Sequence, residues 1–556
     1  MTIQINRLDD AFHFEASNED GRSVRVDAAA AIGGHNAGIR PMQLLLTAIA
    51  TCSVFDILLI LKKQRQVVED IQITVTGERA DAVPAPFTAI AMKFTFFGDL
   101  QPEKVAKAVQ MGVEKYCSVG ATLDKEVRVT STFEIRPFVS KQSVLEQHFM
   151  KPVTNKPITN NQLASTHFET LAVRTQAERT SNREHSVPIY ATSSFVFDDA
   201  EQARALFADE IAGDIYTRFS NPNNDELIEK LCHLEGTEDG IATASGMAAM
   251  FVSMAAFLRA GDHVVVSRSV FGSTHQIVTQ LLPRWGIHYT YIDATASMEE
   301  WEAAVQPTTK LLFIETPSNP SLDLIDIAAL AEIANRHGII LNVDNCFATP
   351  YLQTPAKLGA HIVTHSATKF IDGQGRTIGG AILGSKELIK EVRFFARHTG
   401  PSMSPFNGWI LSKSLETLAV RMEKHCQNAL QLAEKLQGNP ALHWVKYPFL
   451  KNHPQYELAQ RQMRLGGGIV TFELRGGLGQ GQKFIDALQM LSITANLGDT
   501  RSIATHPAST THSKLSVAER QAVGISDGLI RISVGLEHID DIVGDIEQAI
   551  ERSAGG

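Results

Sequence analysis

The sequence predicts an α/β protein built on a parallel sheet and preceded by a smaller α+β module. Three observations carry that expectation. The chain has 556 residues, more than a single core holds, so two or more domains are expected. From about Phe168 onward, short apolar runs such as DHVVVS, HYTYID, KLLFIET, GIILNVDN and HIVTHS alternate with helix-period segments, the pattern of βαβ units. Before about residue 137 the period is two instead, in FHFEAS, SVRVDA, IQITVTGE, AIAMKFTFF and VRVTSTFEI.

Within the first module, residues 1–137, the run LLLTAIATCSVFDILLIL over 44–61 is long enough to be a membrane span. Asp56 near its centre would cost about 2.5 to 3.5 kcal/mol there. The run is therefore expected to be a buried helix, and no membrane association follows. A second helix is expected from Pro102 to about Tyr116, with proline in its first turn. Residues 138–164 are polar and hold two prolines, which reads as a linker. A large domain over 165–415, an N-terminal arm plus the parallel-sheet core, and a small α/β domain over 416–556 complete the expected order.

Composition excludes several functions. With 51 basic against 61 acidic residues the net charge is -10, which gives no field to hold nucleic acid. The five cysteines are scattered and include no CxxC, so neither a disulfide framework nor a zinc site is indicated and a reducing, cytoplasmic compartment fits. The first twenty residues lack the basic start and apolar core of a signal peptide. His361 and His365 lie four apart on one expected strand, too far apart to share a zinc ion, and no metal is expected. RGGLGQGQ is glycine-rich but reads as a turn rather than a nucleotide loop.

The stretch VTHSATKFIDGQG places Lys369 just past an apolar strand, behind Ser366 and Thr368. In open parallel sheets ligands bind beyond the carboxyl ends of the strands. GIILNV ends on Asp344, KLLFIE leads into TPSNP with Asn319, and ASGMAAM opens a helix at Gly246 and Met247. A helix that begins on glycine offers free N–H groups and a positive dipole end to a phosphate, to which Ser366 and Thr368 could also donate. A buried carboxylate such as Asp344 can keep a pyridine nitrogen protonated. Singly, Asp344 could be a turn residue, Gly246 a helix cap and Asn319 an Asx-turn former.

Eight stretches, SNPNNDELIEKL, ASGMAAM, ETPSNP, VDNCFATP, HSATKFIDGQG, GPSMSPFNGWILSKSLETLAVRM, NLGDTRSIATHPASTTH and RISVGLE, resemble the Cys/Met-metabolism family of pyridoxal-phosphate enzymes from about residue 165 onward. The resemblance implies a fold type I, aspartate-aminotransferase-like architecture, pyridoxal 5'-phosphate as cofactor, and a homotetramer built from dimers. It makes Lys369 the catalytic lysine that carries the cofactor, Asp344 the partner of the ring nitrogen, and Gly246, Met247, Ser366 and Thr368 phosphate ligands. Tyr216 and Arg218 match residues that reach the neighbouring subunit's phosphate. Arg531 matches the arginine that clamps the substrate α-carboxylate, and Asn319 is the second substrate-binding candidate.

Many members carry a ring-stacking tyrosine where this chain has Phe271, which keeps the stacking but not the phenolic proton. With NLGDT and HPASTTH, that difference resembles the O-succinylhomoserine sulfhydrylases. The implied reaction converts O-succinylhomoserine and sulfide to homocysteine and succinate. Cystathionine γ-synthase, O-acetylhomoserine sulfhydrylase and γ-lyase activities share most of its steps.

GIRPMQLLLTAIATCSVFDILLILKKQRQ and VEKYCSVGATL resemble the OsmC family, osmotically inducible protein C and the organic hydroperoxide resistance proteins. In its peroxidase members one cysteine attacks hydroperoxide and a second resolves it as a disulfide; Cys52 and Cys117 fall at the matching places. The peroxidases also carry a glutamate where this chain has Met42 and Gln43, so the module is expected to be structural or to bind a partner.

Overall fold

The computed structural model describes residues 2–137 and 167–554, apart from residues 36, 124, 179, 181, 512, 514, 515, 518, 519 and 521–523. The linker expected over 138–164 lies outside the described residues. The chain divides into two compact units, Met1–Thr154 and Asn155–Gly556.

In the first unit, alternation becomes strand. β1 (Ile3–Arg7), which the sequence reading missed, pairs antiparallel with β2 (Phe14–Asn18), and β2 with β3 (Ser23–Val26). A second sheet holds β4 (Asp70–Arg79), β5 (Phe87–Phe97) and β6 (Arg128–Arg136), with β5 antiparallel to β4 and parallel to β6. Ile90, Met92, Phe94 and Phe96 of β5 share one core with Ile49, Val54, Ile57 and Leu61 of the long helix Pro41–Lys63.

That helix is buried on one stripe only. Phe55 and Leu59, on its other side, are 65% and 56% exposed. The expected buried helix is corrected to a half-buried one: three strands need a single apolar face to cover them, and the inner stripe supplies it. By length and composition the segment would also suit a membrane span. The second helix, Pro102–Gln110, widens into a π-helical turn over Met111–Tyr116. Gly112 lets this turn press on the long helix, because a Cβ there would lie 2.4 Å from Ile57 Cγ1.

The second unit is organised on a seven-stranded sheet of β7 (Asp239–Thr243), β8 (His263–Ser267), β9 (His288–Ile292), β10 (Thr309–Glu315), β11 (Ile340–Asp344), β12 (Ile362–Ser366) and β13 (Gly380–Gly384). Their spatial order is β7-β13-β12-β11-β10-β8-β9. β8 to β12 pair in parallel, whereas β13 runs antiparallel to both its neighbours. The expected parallel sheet is thus a mixed one, and the reversed strand, GAILG, is too short and too glycine-flanked to announce itself. HVVVS of β8 is buried throughout, as a strand covered on both faces must be.

A second, five-stranded sheet contains β14 (Leu442–Lys446), β15 (Ile469–Leu474), β16 (Ser492–Ile493), β17 (Ile503–Thr505) and β18 (Leu529–Ser533), in the order β14-β15-β18-β17-β16. Its core joins the helices Leu418–Leu436 and Ile539–Ala554. RGGLGQGQ is corrected here: only Arg475 and Gly476 turn, and a helix runs from Gly477 to Ala487. The Gln480 side chain accepts from Gly476 N at 2.7 Å and starts it, while Gly481 gives His506 room, since a Cβ would lie 2.3 Å from that ring.

Candidate active site

Parallel strands in register deliver their last residues side by side. Glu315 of β10 is the direct neighbour of Asp344 of β11, and Asp344 of Thr364 on β12. Asp344 is 5% exposed, and its Oδ1 accepts from Cys346 N at 3.0 Å. Burial raises its pKa from 3.8 to about 7. Glu315 is driven well above the usual carboxyl range, first by burial and then by the charge of Asp344. Two buried carboxyls this close share a proton more readily than both ionise. Glu315 Oε2 accepts from Phe271 N at 2.7 Å, which fixes the ring-stacking candidate at the start of a short helix with its side chain 43% exposed.

One turn beyond β12, Lys369 Nζ donates to Asn496 Oδ1 at 2.6 Å. Burial lowers its pKa, the Cys346 thiol opposes that shift, and the positive charge of Arg531 adds to it. Arg531, on β18 and buried, donates from Nη1 to Asn319 Oδ1 at 3.1 Å, and from Nη2 to Asn496 O at 3.0 Å and Thr505 Oγ1 at 3.1 Å. Burial pushes its pKa down to about 10, and its Nε is buried without a partner. Asn496 therefore joins Lys369 to Arg531, and Arg531 in turn holds Asn319.

The helix Gly246–Ala255 begins against the end of β12. A Cβ at Gly246 would lie 2.4 Å from both Cβ and Oγ of Ser366, so the helix start sits directly on the serine side chain with no room for another. Ser245 caps the helix, its Oγ accepting from Ala248 N at 3.1 Å, and the other first-turn N–H groups have no partner within the helix. The Met247 side chain packs against the core beside β8 and β10. Thr368 Oγ1 accepts from Gly379 N at 3.1 Å and donates to Gly379 O at 3.3 Å.

The remaining candidates engage other partners. Arg218 donates to Arg397 O and stacks over the rings of Tyr216 and Phe219 at 5.4 and 4.9 Å. A cavity of about 1320 Å³ runs past Arg218, but Lys369, Asp344 and Arg531 are not among its walls; one of about 410 Å³ is walled in part by Thr368, Arg376, Asn407 and Asn496. His361 and His365 part company: Leu341 N donates to His361 Nδ1 at 2.9 Å, while His365 Nε2 meets Glu235 Oε1 at 2.7 Å. Among the described residues no group of three His, Cys, Asp or Glu side chains is arranged to hold a metal.

In the first unit Cys117 lies on the turn of the long helix that carries Cys52. Its Sγ is 3.7 Å from Ile49 O and accepts from Gly120 N at 3.3 Å. Both cysteines are free thiols in one core, Cys117 buried and Cys52 half-buried. Arg40 N donates to Gln43 Oε1 at 2.9 Å, so Gln43 serves as a helix cap.

Three residues were missed by the sequence reading. Asn496 and Glu315 lie inside the quoted NLGDT and ETPSNP, yet nothing in spacing reveals that one meets a lysine and the other a carboxyl. Glu235, wholly buried against His365 and also held by Asn345 Nδ2 at 2.8 Å, sits in a helix pattern that carries no signal of a buried charge.

Pyridoxal phosphate presents an anion, a ring nitrogen and an aldehyde. The helix start at Gly246, seated on Ser366, suits the first, buried Asp344 the second and the amine of Lys369 the third. The fold and this site define a pyridoxal-phosphate-dependent enzyme of fold type I. The chain belongs to the Cys/Met metabolism PLP-dependent enzyme family, whose model matches residues 169–551, and residues 34–132 match the OsmC-like protein family.

Among its relatives, the O-succinylhomoserine sulfhydrylase of Pseudomonas aeruginosa is 49% identical over 67% of this chain and 92% of its own length. The L-methionine gamma-lyase of Porphyromonas gingivalis is 44% identical over 66% and 92%. The crystal structure of a putative O-acetylhomoserine (thiol)-lyase from Campylobacter jejuni, containing a pyridoxyl-lysine monophosphate, is 35% identical, covers 69% of this chain and all of its own, and gives a TM-score of 0.67. MetB from Corynebacterium glutamicum gives a TM-score of 0.66 at 36% identity over 70% of this chain and 99% of its own.

Proposed function

We propose that the chain catalyses γ-replacement, converting O-succinylhomoserine and sulfide to homocysteine and succinate, in a cytoplasmic homotetramer built from dimers. The observation that carries this reading is the Lys369 amine, held at lowered pKa within the network of Asn496 and Arg531. Lowering a lysine's pKa raises the share of free amine that can accept a proton. The choice of O-succinylhomoserine is supported by the sulfhydrylase relatives and by Phe271, which stacks but holds no phenolic proton.

The residues divide the work as follows. Arg531 exchanges neutral partners for the substrate carboxylate, a two-pronged contact that orients the α-carbon. Bound pyridoxal phosphate supplies the electron sink that makes the α-proton acidic. Lys369 takes that proton at Nζ; a second proton then leaves the β-carbon, its electron pair expels succinate from the γ-carbon, sulfide forms the C–S bond there, and protons return to the β- and α-carbons. Asp344 keeps the proton on the ring nitrogen, and the Gly246 junction with Ser366 and Thr368 anchors the phosphate. Tyr216 and Arg218 are assigned to the phosphate of a second copy, because they match the family residues with that role.

A methionine γ-lyase is the second reading, supported by relatives of nearly equal identity. Incubating the protein with O-succinylhomoserine and sulfide tests both. Homocysteine is expected; methanethiol from methionine, with no homocysteine from any acyl-homoserine, would favour the lyase.

A further inference from the structure

Behind the strand ends that carry Asp344 and Ser366 lies a buried charge that the reaction steps do not use. Glu235 is the last residue of the helix Pro222–Glu235 and is wholly buried. A carboxylate there faces the negative end of the helix dipole, so neither the helix nor burial favours it. Its Oε1 accepts from two neighbours at once, Asn345 Nδ2 at 2.8 Å and His365 Nε2 at 2.7 Å. Asp344 pairs with Thr364 across β11 and β12. Successive strand residues face opposite ways, so Asn345 and His365 turn away from that pair and meet Glu235 on the other face. Asn345 Nδ2 also donates to Gln353 O at 2.9 Å, and Gln353 Nε2 to Thr316 O at 2.9 Å. Thr316, Asn345 and His365 are the chain neighbours of Glu315, Asp344 and Ser366, so one buried network holds all three strand ends. Among the described residues Glu235 Oε2 and His365 Nδ1 have no partner, which leaves the contact between the two side chains to balance the buried charge.

We propose that Glu235 and His365 form a charged positioning pair for Asp344: the carboxylate keeps the imidazole cationic, and the cation keeps the Asp344 carboxyl ionised where it is to meet a protonated ring nitrogen. The proposal rests on the reading of Asp344 as the ring-nitrogen partner. Burial works against an ionised Asp344, while the N–H of Cys346 and then the charge of His365 work for it. Around Asp344 the other titratable groups are Glu315 on β10, whose charge competes with its own, and Cys346, whose thiol is pushed well up by burial and faces Lys369. Around Glu235 the other cations are engaged elsewhere. Lys230, on the same helix, sits between Glu226 and Glu416 at 3.2 and 3.3 Å, and Lys357 lays its stem along Gly236. Two carboxyls competing for one proton need an adjacent cation if one of them is to stay ionised, and His365 is placed to supply it. An uncharged pair could hold the same strand ends but could not bias that proton.

The test replaces the pair by an uncharged one in the full-length chain freed of cofactor. Glu235→Gln with His365→Gln keeps an amide-to-amide hydrogen bond and removes both charges. In each background the unfolding free energy in urea is compared between Asp and Asn at position 344, from about pH 4 to about pH 9. That difference falls as pH rises until the Asp344 carboxyl, coupled to Glu315, has ionised in the folded chain, and then levels. Levelling is expected about one pH higher in the double variant than in the parent, because the cation is gone. Glu235→Gln alone should move it the same way, since the imidazole loses the carboxylate that keeps it charged, and it carries the decision if the double variant does not fold. Levelling of either variant within about 0.2 pH of the parent, or below it, would overturn the proposal and leave the network a purely structural one. In the loaded protein, pyridoxal phosphate labelled with nitrogen-15 in its ring should give the signal of a protonated nitrogen in the parent, displaced toward the unprotonated form in the double variant. An unprotonated ring nitrogen in the parent would instead overturn the reading of Asp344, and the urea result would stand apart from it.

Discussion

Replacing Asp344 by Asn separates the cost of burying a carboxylate from its use. In the folded, cofactor-free chain the carboxyl titrates at about 7 instead of 3.8. The folded state thus binds this proton more tightly than the unfolded chain does. Its contribution to stability is complete below about pH 3.8 and is lost as pH rises through 7. Each pH unit of displacement is worth about 1.4 kcal/mol, so roughly 4 kcal/mol is given up between acid and pH 8. Asp344→Asn keeps an oxygen for Cys346 N and has nothing to ionise, and it removes the charge that burdens Glu315. Its stability relative to the parent should therefore climb by up to about 4 kcal/mol from pH 4 to pH 8. Urea unfolding followed by tryptophan fluorescence reads the right unit, because Trp285, Trp301, Trp409 and Trp444 all lie in the second. Parallel stability curves for the two proteins across that range would refute the reasoning. With pyridoxal phosphate bound the sign should reverse, since the variant cannot offset a cationic ring nitrogen.

Other expectations follow from the same geometry. Gly246→Ala forces a methyl group onto Ser366, an overpacking cost of about 1 to 3 kcal/mol, and should weaken cofactor affinity roughly tenfold to a hundredfold in a fluorescence titration. Arg531→Lys loses the fork that meets Asn319, Asn496 and Thr505 together; KM for the acyl-homoserine should rise at least about tenfold in steady-state assays. Phe271→Tyr returns a phenolic proton to the ring-stacking position and should shift the ratio of elimination to replacement products. Cys52 and Cys117 should stay reduced under organic hydroperoxide, because Gln43 is spent on capping its helix; a Cys52–Cys117 disulfide found by mass spectrometry would reverse that view.

The parts of the fold that were legible in the sequence are those where one periodicity acts alone. DHVVVS and KLLFIET are strands because continuous apolar runs suit a sheet covered on both faces. GAILG escaped because three apolar residues between two glycines are too few to show a period, and the long helix was over-read because composition counts apolar residues without saying which side they face. Lys369, Asp344 and Gly246 could be singled out in the sequence because polar residues and glycines that follow an apolar strand stand out from the run before them. Asn496, Glu315 and Glu235 were not, since their roles depend on strand register and on loop approach across more than a hundred residues of chain.

The meeting of Gly246 and Ser366 has a thermodynamic consequence. The start of one helix sits so closely on the serine at a strand end that a methyl group does not fit between them. A phosphate held there, as proposed, would meet a helix start already fixed by the fold, so less ordering would be left to the binding step. On that reading, part of the site's grip would come from how the chain folds and not from a search by the ligand for its partners.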